Sequence, residues 1–185
     1  MLTYKNHKAK VCAVCERVFV PERMGQVVCR PACAMKKVRQ AKVEEREKVR
    51  TRKEAIKTIP VLIKEAQVAF NAYIRARDAD KPCICCGQPL GTGEVGGAYD
   101  CGHYRSTGSA AHLRFDERNA HAQRKVCNRW GAGRAVDYRI GLVARIGLAA
   151  VEALESDNAP KKWTREELIS IRDEYRKKLK GHNEA

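Results

Sequence analysis

Four of the nine cysteines in this 185-residue chain fall in one short window. Cys12 and Cys15 form a C-x2-C pair, and after thirteen residues Cys29 and Cys33 follow as C-x3-C. Two close pairs on separate turns can set four thiolates at the corners of a tetrahedron, the geometry of a structural zinc site. The intervening ERVFVPERMGQVV predicts two short strands, at Val18, Phe19 and Val20 and at Val27 and Val28, around a turn at Pro21 and Gly25. So small a segment buries too little to fold alone, so the metal would supply its folding energy.

Further along, Cys83 and Cys86 repeat the C-x2-C spacing with Cys85 between them, and Cys127 lies well downstream. An odd cysteine total fits a closed disulfide framework poorly. The opening MLTYKNHKAK lacks the apolar block of a secretory signal, so a cytoplasmic setting with reduced thiols is expected. Metal binding is then the natural use of the paired thiols. The Gly-rich stretch GTGEVGG at 91–97 reads as a loop or hairpin connection, because it lacks the Gly-Lys-Ser/Thr ending of a phosphate-binding loop.

Charge names the class of partner. The formal charge is +15, with aromatics at only 6% of residues, which points to nucleic acid. No run approaches the roughly 18 apolar residues of a membrane span, and no basic helix carries aromatic anchors, so a membrane partner is not expected. Residues 34–58 hold ten Lys+Arg against four Asp+Glu with no Gly or Pro. They predict a helix whose Lys36, Lys37, Arg39, Lys42, Arg46, Arg50, Arg52 and Lys53 lie along DNA phosphates; the plain alternative is a solvated linker.

The remaining elements must position the chemistry. Pro60 suits a helix first turn, and Leu62, Ala66, Ala69, Phe70 and Tyr73 give the following helix one apolar face. Near the C-terminus Ile140, Val143, Ile146, Ala150 and Leu154 recur at helical spacing, weakened by Gly141 and Gly147. Thr164 to Glu167 form a capping box opening a last helix, with Leu168, Ile171, Tyr175 and Leu179 as its buried face. The expected class is α+β in four parts. Residues 1–33 form a zinc-ribbon-like four-cysteine module and 34–80 a basic helical linker with a packing helix. Residues 81–135 form the chemical core, and 136–185 a C-terminal helical extension.

From residue 60 to about 180 the chain resembles the NinG family of lambdoid phages, also called Rap, within the HNH (ββα-metal) nucleases. The matching residues are Pro82-Cys83 to Gly87, Asp100-x-Gly102-His103-Tyr104-Arg105, Leu113-Arg114-Phe115, Glu117-Arg118-Asn119, His121, Gln123 and Cys127-Asn128. The match continues through Tyr138-Arg139, Arg145-Ile146-Gly147 and the Trp163-Thr164 helix. The resemblance implies an HNH-like β-hairpin and helix with one Mg²⁺ at their junction. His103 would end the first strand as general base, and Asn128 would open the helix as a metal ligand. Asn119 would fix the loop that aims His103. Asp100 would be the carboxylate, although Gly102 holds the place next to the histidine where many such enzymes carry the acid. His121 would orient the loop or stand near the metal, Arg105 would clamp a phosphate, and His112 is expected to face solvent.

The family usually shows a second C-x2-C before the final asparagine, and its first cysteine is replaced here by Arg124. Cys83, Cys86 and Cys127 then need a fourth ligand for a second structural zinc. Cys101 is the leading candidate, with Cys85 and His121 as alternatives. The implied activity is cleavage of Holliday junctions and D-loops in phage recombination, alongside phage or host recombination proteins. Two cuts would need a homodimer or two monomers in sequence. The competing expectations are a non-catalytic zinc-containing DNA adaptor and, third, an RNA-binding protein.

Overall fold

The computed structural model describes residues 8–92 and 97–184, so most of the 91–97 loop reading and the first seven residues lie outside the described residues. The chain divides into two units, 1–57 and 58–185. The segment 34–80 is therefore split: its basic helix belongs with the first cysteine module and its packing helix with the core.

In the first unit, β1 (Lys10–Val11) pairs antiparallel with β2 (Val18–Phe19), and α1 runs from Pro31 to Ala55. The partner of Val18–Phe19 is thus Lys10–Val11 and not Val27–Val28. The Cys12–Cys15 turn folds the chain back at once, with Glu16 N–H donating to the Cys12 carbonyl at 3.0 Å. Val27 instead accepts a hydrogen bond from Ala13 N at 3.0 Å. Pro31 suits the first turn of α1, where its missing N–H has no intrahelical use. Beyond Cys33, no described residue of α1 is buried.

The second unit is built on α2 (Ile59–Arg77) and α5 (Arg165–Asn183). Leu62, Ala66, Ala69, Phe70 and Ile74 of α2 are buried with Leu168 and Tyr175 of α5, and the Phe70 and Tyr175 rings meet edge to face at 4.8 Å. The capping box of α5 forms as its sequence predicts, Thr164 and Glu167 exchanging side-chain and backbone bonds. Against this pair lies the antiparallel hairpin of β3 (Tyr99–His103) and β4 (Ala120–Arg124), with Asp100 opposite Gln123 and His103 opposite Ala120. A single π-helical turn, Val126–Trp130, follows β4. Asn128 therefore sits inside one short turn rather than opening a full helix.

Two more helices, α3 (Ala135–Ile146) and α4 (Leu148–Ser156), complete the unit. Gly147, at φ +85°, separates them and breaks the continuous stripe expected there. The buried residues are consequently Tyr138, Leu142, Val151 and Leu154, while Ile140 is exposed.

Candidate functional site

Both cysteine groups converge. Cys12, Cys15, Cys29 and Cys33 bring their sulfurs within 4.8 Å of one another, and so do Cys83, Cys85, Cys86 and Cys127. A zinc with four Zn–S bonds of about 2.3 Å needs sulfurs about 3.8 Å apart. Cys15–Cys29 at 3.5 Å, Cys29–Cys33 at 3.8 Å and Cys83–Cys85 at 3.6 Å approach that edge length. Both groups could hold structural zinc.

The fourth member of the second group is Cys85 and not Cys101. Side chains alternate along β3, and Cys101 is buried on the face that packs against α2, with Phe70 and Phe115 in its cluster. Cys85 lies on the side of Gln123, whose amide donates to its sulfur at 3.4 Å.

Backbone N–H groups aimed at sulfur prepare a thiolate in each group. Burial pushes the Cys12 thiol up, but the backbone at Cys15, Cys29 and Val14 outweighs it and brings it to about 6. Burial likewise opposes ionisation of Cys83, and the backbone of Arg124, Cys86 and Cys85 brings it to about 7. Burial raises the Cys101 thiol to about 12 and raises Cys85 as well, so it is position on the hairpin, and not acidity, that sets the two apart. Both C-x2-C turns close the same way, Gly87 N–H reaching the Cys83 carbonyl at 3.0 Å. The residue after each turn has positive φ: Gly87 at 67° and, less comfortably, Glu16 at 57°.

On the face of β3 that carries Gly102, Asp100 meets the π turn. Asn128 Nδ2 donates to Asp100 Oδ2 at 3.3 Å, and Arg129 grips both carboxylate oxygens, Nε at 2.8 Å and Nη2 at 3.1 Å. Burial would raise the Asp100 pKa, but these partners hold it below the ordinary value. A Cβ on Gly102 would lie 2.2 Å from Oε1 of Gln123, which is diagonal to it across the hairpin, so a larger residue at 102 would require the Gln123 side chain to move.

Asn119 is fully buried. Its Oδ1 accepts from Arg105 N at 2.8 Å, and its Nδ2 donates to the Arg105 and Leu113 carbonyls at 3.0 and 3.1 Å. These bonds pin the loop that leaves β3. His103 lies three residues from Asp100 and so points to the opposite face, with its ring 6.0 Å from Phe70 and Nε2 donating to the Arg114 carbonyl at 3.1 Å. Burial lowers its pKa, offset in part by the backbone of Arg114 and Cys101. The fold thus gathers Asp100 with Asn128 and leaves His103 across the strand.

Other candidates are committed elsewhere. Arg105 donates to the carbonyls of Leu154 (2.9 Å) and Asp157 and to Asn158 Oδ1 (2.8 Å), bracing the end of α4 instead of facing a phosphate. His112 does not face solvent: its side chain is 12% exposed, and Nε2 contacts the Asp157 carbonyl at 3.0 Å and carboxylate at 3.3 Å. By contrast, Lys36, Lys37, Arg39, Lys42, Arg46, Arg50, Arg52 and Lys53 on α1 are all exposed, with Arg50 paired to Glu47 at 2.6 Å.

One hub escaped sequence reasoning. The carboxylate of Asp78, with no exposed surface, accepts bonds from Arg77 (2.9 and 3.0 Å), Lys81 (2.9 Å) and Ala122 N (3.1 Å), with Arg145 at 3.5 Å and His121 Nδ1 at 3.4 Å. It ties the end of α2 to β4. It also accounts for His121, whose pKa burial lowers and which belongs to this network and not to the cysteine group. The partners are scattered along the chain from Arg77 to Arg145, and no spacing advertises them.

Fold and sites together define a small mixed helix-and-sheet protein with two tetracysteine groups able to hold zinc. The profile of the family described as "Bacteriophage Lambda NinG protein" matches residues 4–184. The protein ninG of Salmonella phage P22 is 41% identical, covering 90% of this chain and 89% of its own length. That of Escherichia phage lambda is 40% identical over 90% and 88%, and that of Escherichia phage 933W 39% over 91% of each. The chain belongs to the NinG family of phage proteins. No solved structure matches it at comparable significance, and no described helix is long and apolar enough to cross a membrane.

Proposed function

We propose that this chain is a Mg²⁺-dependent, HNH-like endonuclease that cuts branched DNA such as Holliday junctions and D-loops during phage recombination in the host cytoplasm. The observation that carries the reading is the meeting of Asp100 and Asn128 beside a hairpin whose outgoing loop is pinned by buried Asn119. A carboxylate and a carboxamide offer the oxygen donors that Mg²⁺ prefers, once the Asn128 amide turns its oxygen inward. Arg129 must leave Asp100 for this, and its side chain, 58% exposed, is free to swing toward the phosphate. When bound, Mg²⁺ would stabilise negative charge developing on the phosphate and the leaving oxygen.

His103, held neutral at neutral pH by burial, takes the proton from the water that attacks phosphorus. Because Asp100 and His103 leave β3 on opposite faces, the scissile phosphate must cross the end of that strand to meet both. The exposed cations of α1 supply sequence-independent attraction to the backbone. Two cuts at a junction call for two copies of the chain or two successive events, with other recombination proteins delivering the substrate.

A second reading is a non-catalytic zinc-containing DNA adaptor. The opposite facing of His103 and Asp100 favours it. The test is incubation of labelled four-way junction, linear duplex and single strands with and without Mg²⁺. Mg²⁺-dependent cuts near the branch support the nuclease. Tight junction binding with no cut under Mg²⁺ or Mn²⁺ supports the adaptor, and degradation of RNA alone overturns both.

A further inference from the structure

Trp130 is 84% exposed, although indole is among the side chains that gain most from burial. It ends the π turn that carries Asn128 and Arg129, four residues from Val126, which is 60% exposed. The mounting is firm. Cys127, in the same turn, is buried in the second cysteine group, and the turn closes through Gly131 N–H to the Val126 carbonyl at 3.0 Å and Arg134 N–H to the Gly131 carbonyl at 3.0 Å. The other tryptophan, Trp163, is packed edge to face on Phe115 at 5.0 Å and donates to the Ala111 carbonyl at 3.3 Å. The two indoles are therefore in contrasting environments. Arg129 immediately precedes Trp130, and Lys125 and Arg134 lie within five residues on either side; an exposed ring in a basic segment is the combination that binds single-stranded nucleic acid by stacking on bases and tracking phosphates.

We propose that Trp130 stacks on the open face of an unstacked base in DNA whose neighbouring phosphate lies at Asp100 and Asn128, and so favours branched or single-stranded DNA over duplex. This rests on the nuclease reading and supplies what that reading lacks, a residue that distinguishes DNA structures. In a duplex the base faces are occupied by their neighbours; at a branch or strand end one face is open.

The test is a fluorescence titration of the full-length protein without Mg²⁺, using a short single-stranded DNA, its duplex and a four-way junction. Single-stranded DNA and the junction should quench tryptophan emission, and Trp130→Phe should abolish the quench while keeping the affinity. Trp130→Ala should weaken single-strand and junction binding by about 5- to 160-fold, the range expected for one stacked base, with duplex affinity unchanged. A quench that persists in Trp130→Phe, or an alanine variant that binds all three DNAs like the parent, would overturn the proposal. So would stronger quenching by single-stranded RNA than by DNA. Cleavage with Mg²⁺, measured separately, keeps the readings distinct: quenching without cutting removes the nuclease and leaves the stacking, whereas cutting without quenching does the reverse.

Discussion

Asn128 Nδ2 stands 3.3 Å from Asp100 Oδ2, joining residues 28 apart at the point where the hairpin meets the π turn. Arg129 closes the same carboxylate with a two-point grip. Arg129 is the exposed partner of this pair, so its loss costs the fold little. Arg129→Gln should therefore leave stability nearly unchanged while tightening Mn²⁺ binding by up to about fivefold. Paramagnetic broadening of signals near Asp100 would read this; weaker Mn²⁺ binding in the variant would contradict it.

The second cysteine group makes a stoichiometric prediction. Cys85→Ser should reduce zinc from two ions per chain to one, and Cys101→Ala should leave both. Cys101→Ala should instead lower stability by about 1 kcal/mol through lost packing. Metal analysis of the purified variants, with a chemical denaturation curve for each, separates the two effects.

How far these features are legible depends on whether their signal is local. The capping box at Thr164 and the apolar face from Leu62 to Phe70 are written in consecutive turns, and both stand where spacing predicts them. Cys85 stands only as an alternative to Cys101 in the sequence because C-x2-C spacing pairs Cys83 with Cys86, and it is the folded turn that brings the middle sulfur inward. Val27 and Val28 have strand composition, but the tight Cys12–Cys15 turn gives Val18 and Phe19 a nearer partner. Arg105 carries a charge suited to phosphate, and only the fold reveals that α4 carbonyls surround it.

Asp78 illustrates a buried charge that holds elements together. Removing one member of such a network costs about 3–5 kcal/mol. Asp78→Ala should fall in that range by urea unfolding at neutral pH. The pH dependence has a definite sign. Burial opposes ionisation, but the cationic partners outweigh it and hold the folded carboxyl far below the ordinary carboxylate range. The unfolded chain therefore binds more protons, so this stability is present above about pH 4 and is lost as pH falls further. Asp78→Asn should flatten that acid limb; an unchanged limb would contradict the assignment.

Glu16 follows the first knuckle with φ at 57°, where Gly87 serves at the second. A non-glycine residue there costs about 1–2 kcal/mol. Since metal binding and folding of so small a module are coupled, Glu16→Gly should tighten zinc binding at the first group by about 5- to 30-fold. Competition with a chromophoric chelator would measure it, and weaker zinc retention would show that the Glu16 side chain contributes more than its backbone costs.

In the proposed nuclease His103 takes the proton from the attacking water, across the end of β3 from Asp100 and Asn128. The most direct measurement compares Mg²⁺-dependent cutting of a labelled four-way junction by the parent and by His103→Ala, with binding measured in parallel. Loss of a base of this kind should slow cutting by about 100- to 10,000-fold while junction affinity and zinc content stay at the parent values. Cutting by His103→Ala at the parent rate would remove His103 as the base.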